Sequence, residues 1–356
     1  MRILYAVGSW GLGHATRSLP LITSLLDTNT SLTIVSTGRA LAVLRGELQD
    51  RCEFLDWPDV PHTVGRTAWG FYLKTAAAIP RYLAVVRREQ QWTAQLLRTR
   101  RFDRIVSDNR YGIQHPDVPS FHVVHGLRFI APGRVHLIER RLETVNYRWL
   151  GHLRQVIVPD TQEDQLSGDL AHRLEVFPQR VITYAGILSR LRRRAVSEDL
   201  DLFVTLSGPE PQRSMLERLI LQQLPSVRGR IVVTLGKPDA AAHTRVGSAD
   251  VYGYLDRSAQ EEMMNRARLV LCRSGYSTIM ELAELQRRAV LIPTPGQTEQ
   301  MYLARYHQAR GTAFAVDQRR LDLRAALARG ATLPPFRASV STEQTVRRAT
   351  SLILAG

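Results

Sequence analysis

The chain contains little cysteine and no long apolar run. Its two cysteines, Cys52 and Cys272, form no cluster with metal-ligand spacing, which predicts neither a disulfide framework nor a zinc site. No apolar run reaches the roughly 20 residues that a membrane-spanning helix needs. The first residues, MRILYAVGSWGLGH, lack the charged start and the cleavage site of a signal peptide. We therefore expect two reduced thiols in a cytoplasmic protein.

Lysine is almost absent, and the positive charge of the chain comes from arginine. Lys74 and Lys237 are the only lysines among 48 basic residues, which oppose 33 acidic residues and leave a net charge of +15. This balance favours an anionic partner, either a nucleotide diphosphate or an anionic membrane surface. Nucleic acid is not expected, because the arginines are spread along the chain without a zinc-finger or RNA-recognition signature.

Short apolar runs alternate with helical patterns along the chain, which predicts two doubly wound α/β domains. We predict a first domain over 1–172, a connection over 173–198, a second domain over 199–335 and a last segment over 336–356. The predicted strands are 2–7, 31–36, 52–55, 104–107, 120–124, 155–158, 202–206, 230–235, 251–252, 269–272, 290–292 and 313–316. The predicted helices are 15–26, 40–48, 212–224, 259–265, 278–285, 299–308 and 342–354.

A glycine-rich loop, GSWGLGH, joins the first strand to the first helix. Its spacing is neither that of a dinucleotide fingerprint nor that of a Walker A loop. Gly11 and Gly13 allow a ligand to approach the backbone closely. His14 opens the helix, whose dipole lowers the imidazole pKa, and a neutral imidazole can deprotonate a sugar hydroxyl. His14 is therefore either a general base or a residue that only caps and packs the helix.

Residues 272–300 contain a strand, a Ser-Gly turn, a helix, a second strand and a Pro/Gly loop. The free N–H groups at the helix start suit a phosphate, and Glu281, about two turns further on, can bind both hydroxyls of a ribose. Polar residues follow the second strand, where open α/β sheets bind ligands. This order predicts a nucleotide-sugar site; the alternative is a βαβ unit whose turn only caps a helix. The predicted ligand contacts are Arg273, Ser274, Gly275, Ser277, Thr278, Glu281, Gln297, Glu299 and Gln300, of which Glu299 and Gln300 would read the sugar.

The segments GHATRSLPLITSLL, RSGYSTIMEL and PTPGQTEQ resemble those of GT-B glycosyltransferases, and most closely the MurG-like group of glycosyltransferase family 28. The resemblance covers nearly the whole chain. It implies two Rossmann-like domains that face a cleft, with the last helix crossing back to the first domain. It also implies an inverting transfer from a UDP-sugar to a hydroxyl acceptor, lipid-linked or a small molecule, without a metal or cofactor. Pro20 stands later than the family's proline, which allows a shifted helix start.

The resemblance also assigns roles to single residues. Asp108, at a strand end, would support His14 as an orienting carboxylate. Asp108 can instead cap the following turn together with Asn109, and both alternatives stand. Asn109 and His125, with Gly11 and Gly13, are expected at the acceptor, whereas His122 is expected in the core.

In the second domain, the resemblance implies contacts to the nucleotide from two further loops. Ser207 and Gly208, with Arg213, would cradle the donor diphosphate. Two prolines in this loop, Pro209 and Pro211, leave fewer N–H donors than the glycine-rich family loop. By the same resemblance, Tyr254 and Leu255 would bind the uracil edge through backbone groups.

The segment over 69–88 mixes aromatic, apolar and basic residues. This pattern suits either an interfacial contact with an anionic membrane or an ordinary amphipathic helix pair. Two other functions also remain compatible with the sequence, a UDP-sugar 2-epimerase of the same fold and a non-catalytic protein that binds a nucleotide-sugar.

Overall fold

The computed structural model describes residues 1–59, 68–238 and 242–356, apart from the side chains of residues 68, 69, 71–76 and 132. These residues divide into two compact units. The N-terminal unit contains residues 1–59, Tyr72–Arg190 and Ser339–Gly356, and the C-terminal unit consists mainly of Leu191–Ala338.

The N-terminal unit is built around a sheet with seven strands in its described part. Its elements are β1 (Arg2–Val7), α1 (Gly13–Asp27), β2 (Ser31–Ser36), α2 (Gly38–Leu48), β3 (Glu53–Asp56), α3 (Ala68–Thr99), β4 (Arg104–Asp108), β5 (Ser120–Val123), α4 (His136–Trp149), β6 (Leu153–Val158) and β7 (Ile182–Tyr184). The strand order is β3-β2-β1-β4-β5-β6-β7, and the neighbouring strands are parallel. The order reverses between β1 and β4, which is where doubly wound sheets open a crevice for ligands.

The first strand and helix show why the sequence folds in this way. Residues 3–7 of β1 are fully buried, because helices cover both faces of a parallel sheet and its central strands become continuous apolar runs. α1 packs its apolar face, including Leu19 and Ile22, against this core. Pro20 lies inside the helix, which begins at Gly13, so the helix start is not shifted by the proline.

The C-terminal unit repeats this plan, again with seven strands among the described residues. Its elements are β8 (Leu202–Thr205), α5 (Gln212–Gln223), β9 (Ile231–Thr234), β10 (His243–Val246), β11 (Ala249–Tyr252), α6 (Arg257–Arg266), β12 (Leu269–Cys272), α7 (Tyr276–Leu285), β13 (Arg288–Leu291), α8 (Thr298–Ala309), β14 (Phe314–Ala315) and α9 (Leu323–Ala331). The strand order is β10-β11-β9-β8-β12-β13-β14, and only the β10–β11 pair is antiparallel within the described chain. The order reverses between β8 and β12.

The last helix, α10 (Thr342–Ala355), returns to the N-terminal unit. It begins with a capping box formed by Ser341 and Gln344. Thr350 then donates a hydrogen bond to the hydroxyl of Ser24 on α1, with 2.9 Å between the oxygens. The predicted fold class, including this return of the last helix, is confirmed.

Several elements differ from the sequence prediction. β7 pairs with β6, so the first part of the predicted connection over 173–198 belongs to the N-terminal sheet. β7 has three residues and β10 is an exposed polar strand, and neither carries an apolar pattern that a sequence reading can detect. α4 was not predicted because its inward face is polar, as described below.

Candidate functional site

The glycine-rich loop lies directly on the end of β4. The amide of Gly8 donates to the carbonyl of Asp108, with 2.8 Å between nitrogen and oxygen. A Cβ on Gly8 would lie 3.2 Å from this carbonyl, so glycine lets the loop approach the strand. This contact brings His14, the second residue of α1, to the carboxyl end of β4.

The fully buried carboxylate of Asp108 collects donors from one face of α1. His14 Nδ1 lies 2.7 Å from Oδ1, and the hydroxyl of Ser18 donates to Oδ2 at 2.8 Å. Arg17 binds both oxygens, Oδ2 through Nε at 2.8 Å and Oδ1 through Nη2. The sequence reading missed Arg17 and Ser18. Their spacing of three and four residues from His14, which puts all three on one helix face, is the signal that could have found them.

The electrostatics of this cluster favour an ionised Asp108 and a neutral His14. Burial alone would raise the pKa of Asp108, but the Arg17 guanidinium and the His14 hydrogen bond hold that pKa well below its usual value. Burial, and then Arg17, lower the pKa of His14, while Asp108 opposes them. The lowered pKa was expected from the helix dipole; burial and Arg17 are its causes here. The side chain of His14 keeps 13% of its surface exposed, so a substrate can reach it.

The remaining residues predicted at the acceptor surround this cluster. His125 is buried after β5, and its Nδ1 lies 2.8 Å from Nη1 of Arg17. Asn109 is half-buried with a left-handed backbone (φ 60°). Gly11 is exposed and Gly13 half-buried in the loop. His122 is a core residue, and burial lowers its pKa to about 3.

The residues predicted to bind the nucleotide-sugar lie at the carboxyl edge of the C-terminal sheet. Those after β8 and β12 flank the point where the strand order reverses, and others follow β11 and β13. By strand they are Ser207 and Gly208 after β8, Tyr254 and Leu255 after β11, Arg273, Ser274, Gly275, Ser277, Thr278 and Glu281 after β12, and Gln297, Glu299 and Gln300 after β13. This edge is where open α/β sheets bind ligands.

The start of α7 is open to a ligand. The helix begins at Tyr276, two residues before the predicted start. Gly275 has a φ of −72°, and a Cβ there would meet nothing nearer than 3.9 Å, so neither backbone conformation nor packing requires glycine. The close approach of a ligand is a physical reason for it. Glu281 is the sixth residue of α7 and keeps 8% of its surface exposed.

The two arginines predicted to bind phosphate are already engaged. Arg213 pairs with the carboxylates of Glu210 and, at 2.7 Å, Glu217. These ion pairs offset the charge of Arg213, and its predicted phosphate contact stays a prediction. Arg273 is buried, and its guanidinium donates to the carbonyls of Ser207, Gln212, Ile292 and Pro293 at 3.0–3.4 Å.

Arg273, which itself follows β12, therefore links the loops after β8 and β13 through these hydrogen bonds. Burial lowers its pKa to about 10, so it stays a cation at neutral pH. Its contacts are carbonyl oxygens rather than carboxylates, so its charge contributes a positive potential under the loops. Its predicted contact with a phosphate stays a prediction.

Two buried polar atoms beside these loops have no hydrogen-bond partner in the described part of the chain, Thr294 Oγ1 and Gln297 Oε1. A Cβ on Gly208, whose φ is +109°, would lie 3.5 Å from Thr294 Oγ1. A buried polar group without a hydrogen bond destabilises a protein, and such groups are rare. A ligand that forms hydrogen bonds with these two atoms would remove that free-energy cost. Gln300 Oε1 accepts from the amide of Thr294 at 2.9 Å, and its carbonyl accepts from the hydroxyl of Ser274 at 2.8 Å. Gln300 thus holds the Pro/Gly loop to the Ser-Gly turn, and Thr294 was missed by the sequence reading.

An Asp-x-Asp element, which can hold a metal in some transferases, occurs at 199–201. It lies at the amino end of β8, opposite to the predicted ligand edge. Its carboxylates pair with arginines, Asp199 with Arg266 at 2.8 Å and Asp201 with Arg268 at 2.9 Å. No group of three or more His, Cys, Asp or Glu suited to a metal occurs within residues 1–59, 68–238 and 242–356.

The segment over 69–88 lies in α3, and part of it can be compared with the membrane prediction. The side chains of residues 69 and 71–76 lie outside the described residues. Of the others, Val86 is buried and Tyr82 stacks on Trp149 with 5.1 Å between ring centroids. No helix in the described chain is long and apolar enough to span a bilayer.

α4 turns its polar face inward and its apolar face outward. Glu139, Glu143 and Asn146 are buried, and Glu143 accepts from Arg128 Nε at 3.0 Å. The outward face carries apolar and basic side chains, and both acids of the helix are buried. These exposed residues, which we call the α4 outer face, are Leu137, Ile138, Arg140, Arg141, Val145 and Arg148.

Comparisons with known proteins agree with the fold. Among solved structures, the glycotransferase of kitacinnamycin superposes with a TM-score of 0.68 at 14% identity, covering 99% of this chain and 98% of that chain. MurG of Acinetobacter baumannii gives 0.57 at 13% identity, covering 100% of both chains. UDP-GlcNAc 2-epimerase of Neisseria meningitidis gives 0.61 at 12% identity, also covering 100% of both. At these identities the likeness defines the fold, which is GT-B.

Parts of the chain also match known proteins at the level of sequence. Residues 213–353 match the glycosyltransferase family 28 C-terminal domain. A UDP-N-acetylglucosamine–N-acetylmuramyl-(pentapeptide) pyrophosphoryl-undecaprenol N-acetylglucosamine transferase of Acidiphilium cryptum (strain JF-5) is 35% identical over 104 residues. That match spans 28% of this chain and 28% of the relative's length. Residues 213–353 are therefore similar to a family 28 C-terminal domain, the fold is GT-B, and the predicted resemblance to this group is confirmed.

Proposed function

We propose that this protein transfers a sugar from a UDP-sugar to a hydroxyl acceptor, with inversion and without a metal. The observation that carries the proposal is the 2.7 Å contact between His14 and Asp108 at the carboxyl end of β4. This contact supports the first of the two roles considered for Asp108, because its oxygens are bonded to α1. The family 28 domain, whose edge holds the predicted nucleotide contacts, supports the choice of donor.

The proposed chemistry begins with a proton transfer. Neutral His14 takes the proton of the acceptor hydroxyl on Nε2, while Nδ1–H stays bonded to Asp108. The acceptor oxygen then forms a bond to the anomeric carbon as the bond from that carbon to the UDP oxygen breaks. The electron pair leaves with UDP, and Asp108 stabilises the imidazolium. A single displacement of this kind inverts the anomeric centre.

The leaving diphosphate needs positive charge, and two features of the C-terminal unit supply it. The N-terminus of α7 offers backbone N–H groups and the positive end of the helix dipole beside Gly275. Arg273 adds a buried cation beneath the same turn. These groups take the place of a metal in the proposal, with Glu281 on the ribose hydroxyls and Thr294 and Gln297 as further polar contacts.

The acceptor and the membrane contact belong to the same proposal. The α4 outer face, in addition to the segment over 69–88, has the chemistry of a surface that contacts anionic lipid. Leu137 is 63% exposed, Ile138 47% and Val145 40%, and the exposed charges of this helix are basic. Apolar groups interleaved with arginines suit the interface of an anionic bilayer. A lipid-linked acceptor would fit such a contact.

Incubation of the protein with UDP-, dTDP- and GDP-sugars, each with and without a panel of hydroxyl acceptors, tests the proposal. We expect UDP to be released with the glycosylated product when a UDP-sugar and the right acceptor are both present. An epimerised UDP-sugar formed without acceptor would favour the 2-epimerase. Tight binding without either product would favour the non-catalytic alternative.

A further inference from the structure

We infer that Arg17 is a positioning residue that holds His14 and His125 in opposite tautomers. His14 would then offer the acceptor a proton-accepting nitrogen. The inference rests on the proposed function for the use of this nitrogen, whereas the tautomers themselves can be measured without any activity. Arg17 lies at the centre because it contacts both Asp108 and His125 and is 2% exposed.

The tautomer of His14 follows from the state of Asp108. An ionised carboxylate can only accept hydrogen bonds. Arg17, which is always protonated, holds Asp108 in that state by binding both of its oxygens. His14 Nδ1, 2.7 Å from Oδ1, must therefore carry the proton. The lone pair of the neutral ring is left on Nε2, where a base needs it.

The tautomer of His125 follows from the donors of Arg17. A guanidinium has only donors, so His125 Nδ1, 2.8 Å from Nη1, must accept. A ring that accepts at Nδ1 cannot be an imidazolium, and its single proton sits on Nε2. Arg17 thus enforces the opposite arrangement on the two rings, through Asp108 in one case and directly in the other.

This arrangement gives the two rings different roles. The hydroxyl that is attacked gives its proton to the unprotonated Nε2 of His14, whereas the proton of His125 stays on its buried Nε2.

NMR of histidine-labelled protein tests the tautomers directly. Long-range proton–nitrogen correlations distinguish a ring protonated on Nδ1 from one protonated on Nε2, and His14→Gln and His125→Gln assign the signals. In the wild type at neutral pH we expect His14 protonated on Nδ1 and His125 on Nε2. The same tautomer on both rings would overturn the inference.

Two variants of Arg17 separate its charge from its geometry. Arg17→Met removes both. Arg17→Lys keeps the charge but lacks the planar guanidinium that donates to both oxygens of Asp108 and to His125. We expect both to lose the fixed tautomer of His125. We expect the pKa of His14 to rise in Arg17→Met and to stay low in Arg17→Lys. Unchanged His125 signals in a folded variant would contradict the positioning role; if Arg17→Met does not fold, Arg17→Lys alone decides it.

Several charged or titratable groups around His14 contribute to its pKa. Arg17 faces it from its own helix, Asp108 from β4 and His125 from the loop after β5. His122 on β5 belongs to the same electrostatic cluster. Arg17→Lys keeps the positive charge that Arg17→Met removes, so the comparison shows how that charge affects the pKa of His14. Arg347→Met changes an exposed arginine on α10; it is the matched control and should leave the signals of His14, His122 and His125 unchanged.

The inference and the proposed function fail in different ways. If the tautomers are as expected but no sugar is transferred to any acceptor, the proposed function fails and the tautomer assignment stands. If transfer occurs but the two rings share one tautomer, the inference on Arg17 fails alone. With an active acceptor, Arg17→Lys should lower kcat/KM for that acceptor while the Kd for UDP stays within about twofold.

Discussion

The buried pair of Asp108 and Arg17 makes a quantitative prediction for stability. Asp108 is fully buried and Arg17 is 2% exposed, so neither charge is relieved by water. Asp108→Asn leaves the guanidinium without a countercharge, which we expect to cost about 3–5 kcal/mol of unfolding free energy. For a unit of this size that loss corresponds to roughly 6–20 °C in Tm.

A double-mutant cycle checks whether the charge pair is the reason. Arg17→Met should cost a similar amount, because it strands the buried carboxylate. In Asp108→Asn/Arg17→Met both charges are gone, so the double variant should be more stable than the sum of the single losses by about 1–3 kcal/mol. Thermal and urea unfolding followed by circular dichroism measure these values, with Arg347→Met as an exposed control. Additive losses would refute the pairing.

The same pair predicts a dependence on pH. The folded pKa of Asp108 lies below its unfolded value, so its stabilising contribution is present above the unfolded pKa. That contribution is lost as the pH falls below about 4. The Tm difference between the wild type and Asp108→Asn should therefore shrink with acidification. A difference that stays constant down to pH 3 would contradict the depressed pKa.

Three further predictions concern the donor and the membrane. Glu281→Ala should weaken UDP binding by about 1.5–3 kcal/mol, and unchanged affinity by calorimetry would remove Glu281 from the site. Thr294→Val should lower the affinity for UDP without lowering Tm, because the Thr294 hydroxyl has no hydrogen-bond partner in the described chain. Thr294→Ser keeps the hydroxyl and should bind UDP as the wild type does. Equal UDP affinity of the wild type and both variants would exclude the contact. Leu137→Ser with Ile138→Ser should reduce co-sedimentation with anionic vesicles, more so than the exposed Ile79→Ser on α3, and binding should fall with salt. If only Ile79→Ser reduced co-sedimentation, the membrane contact would lie in the segment over 69–88 and not on the α4 outer face.

Much of the fold could be predicted because its signals are local. The strand 31–36 was predicted with the bounds that the structure has, since buried parallel strands are continuous apolar runs. α4 could not be predicted in this way. Its burial pattern depends on Arg128 and on loop amides, which reach Glu143 from other parts of the chain.

The site was predictable only in part, for a similar reason. His14 and Asp108 stand 94 residues apart, and a sequence can place each at a strand end without showing their 2.7 Å contact. Arg17 carries no motif of its own, and its role exists only through Asp108 and His125. Arg213 pairs with acids three and four residues away, and its predicted phosphate contact stays a prediction.

The turnover of His14→Gln shows whether His14 is the general base. It would be measured as UDP release from a UDP-sugar with the acceptor found by the panel, beside calorimetry of UDP binding. We expect kcat to fall by about 10²–10⁴ while the affinity for UDP stays unchanged. In the wild type, kcat/KM should fall as the pH drops through the His14 pKa, which lies below the ordinary value. A His14→Gln protein with near-normal turnover and the wild-type pH profile would contradict the account.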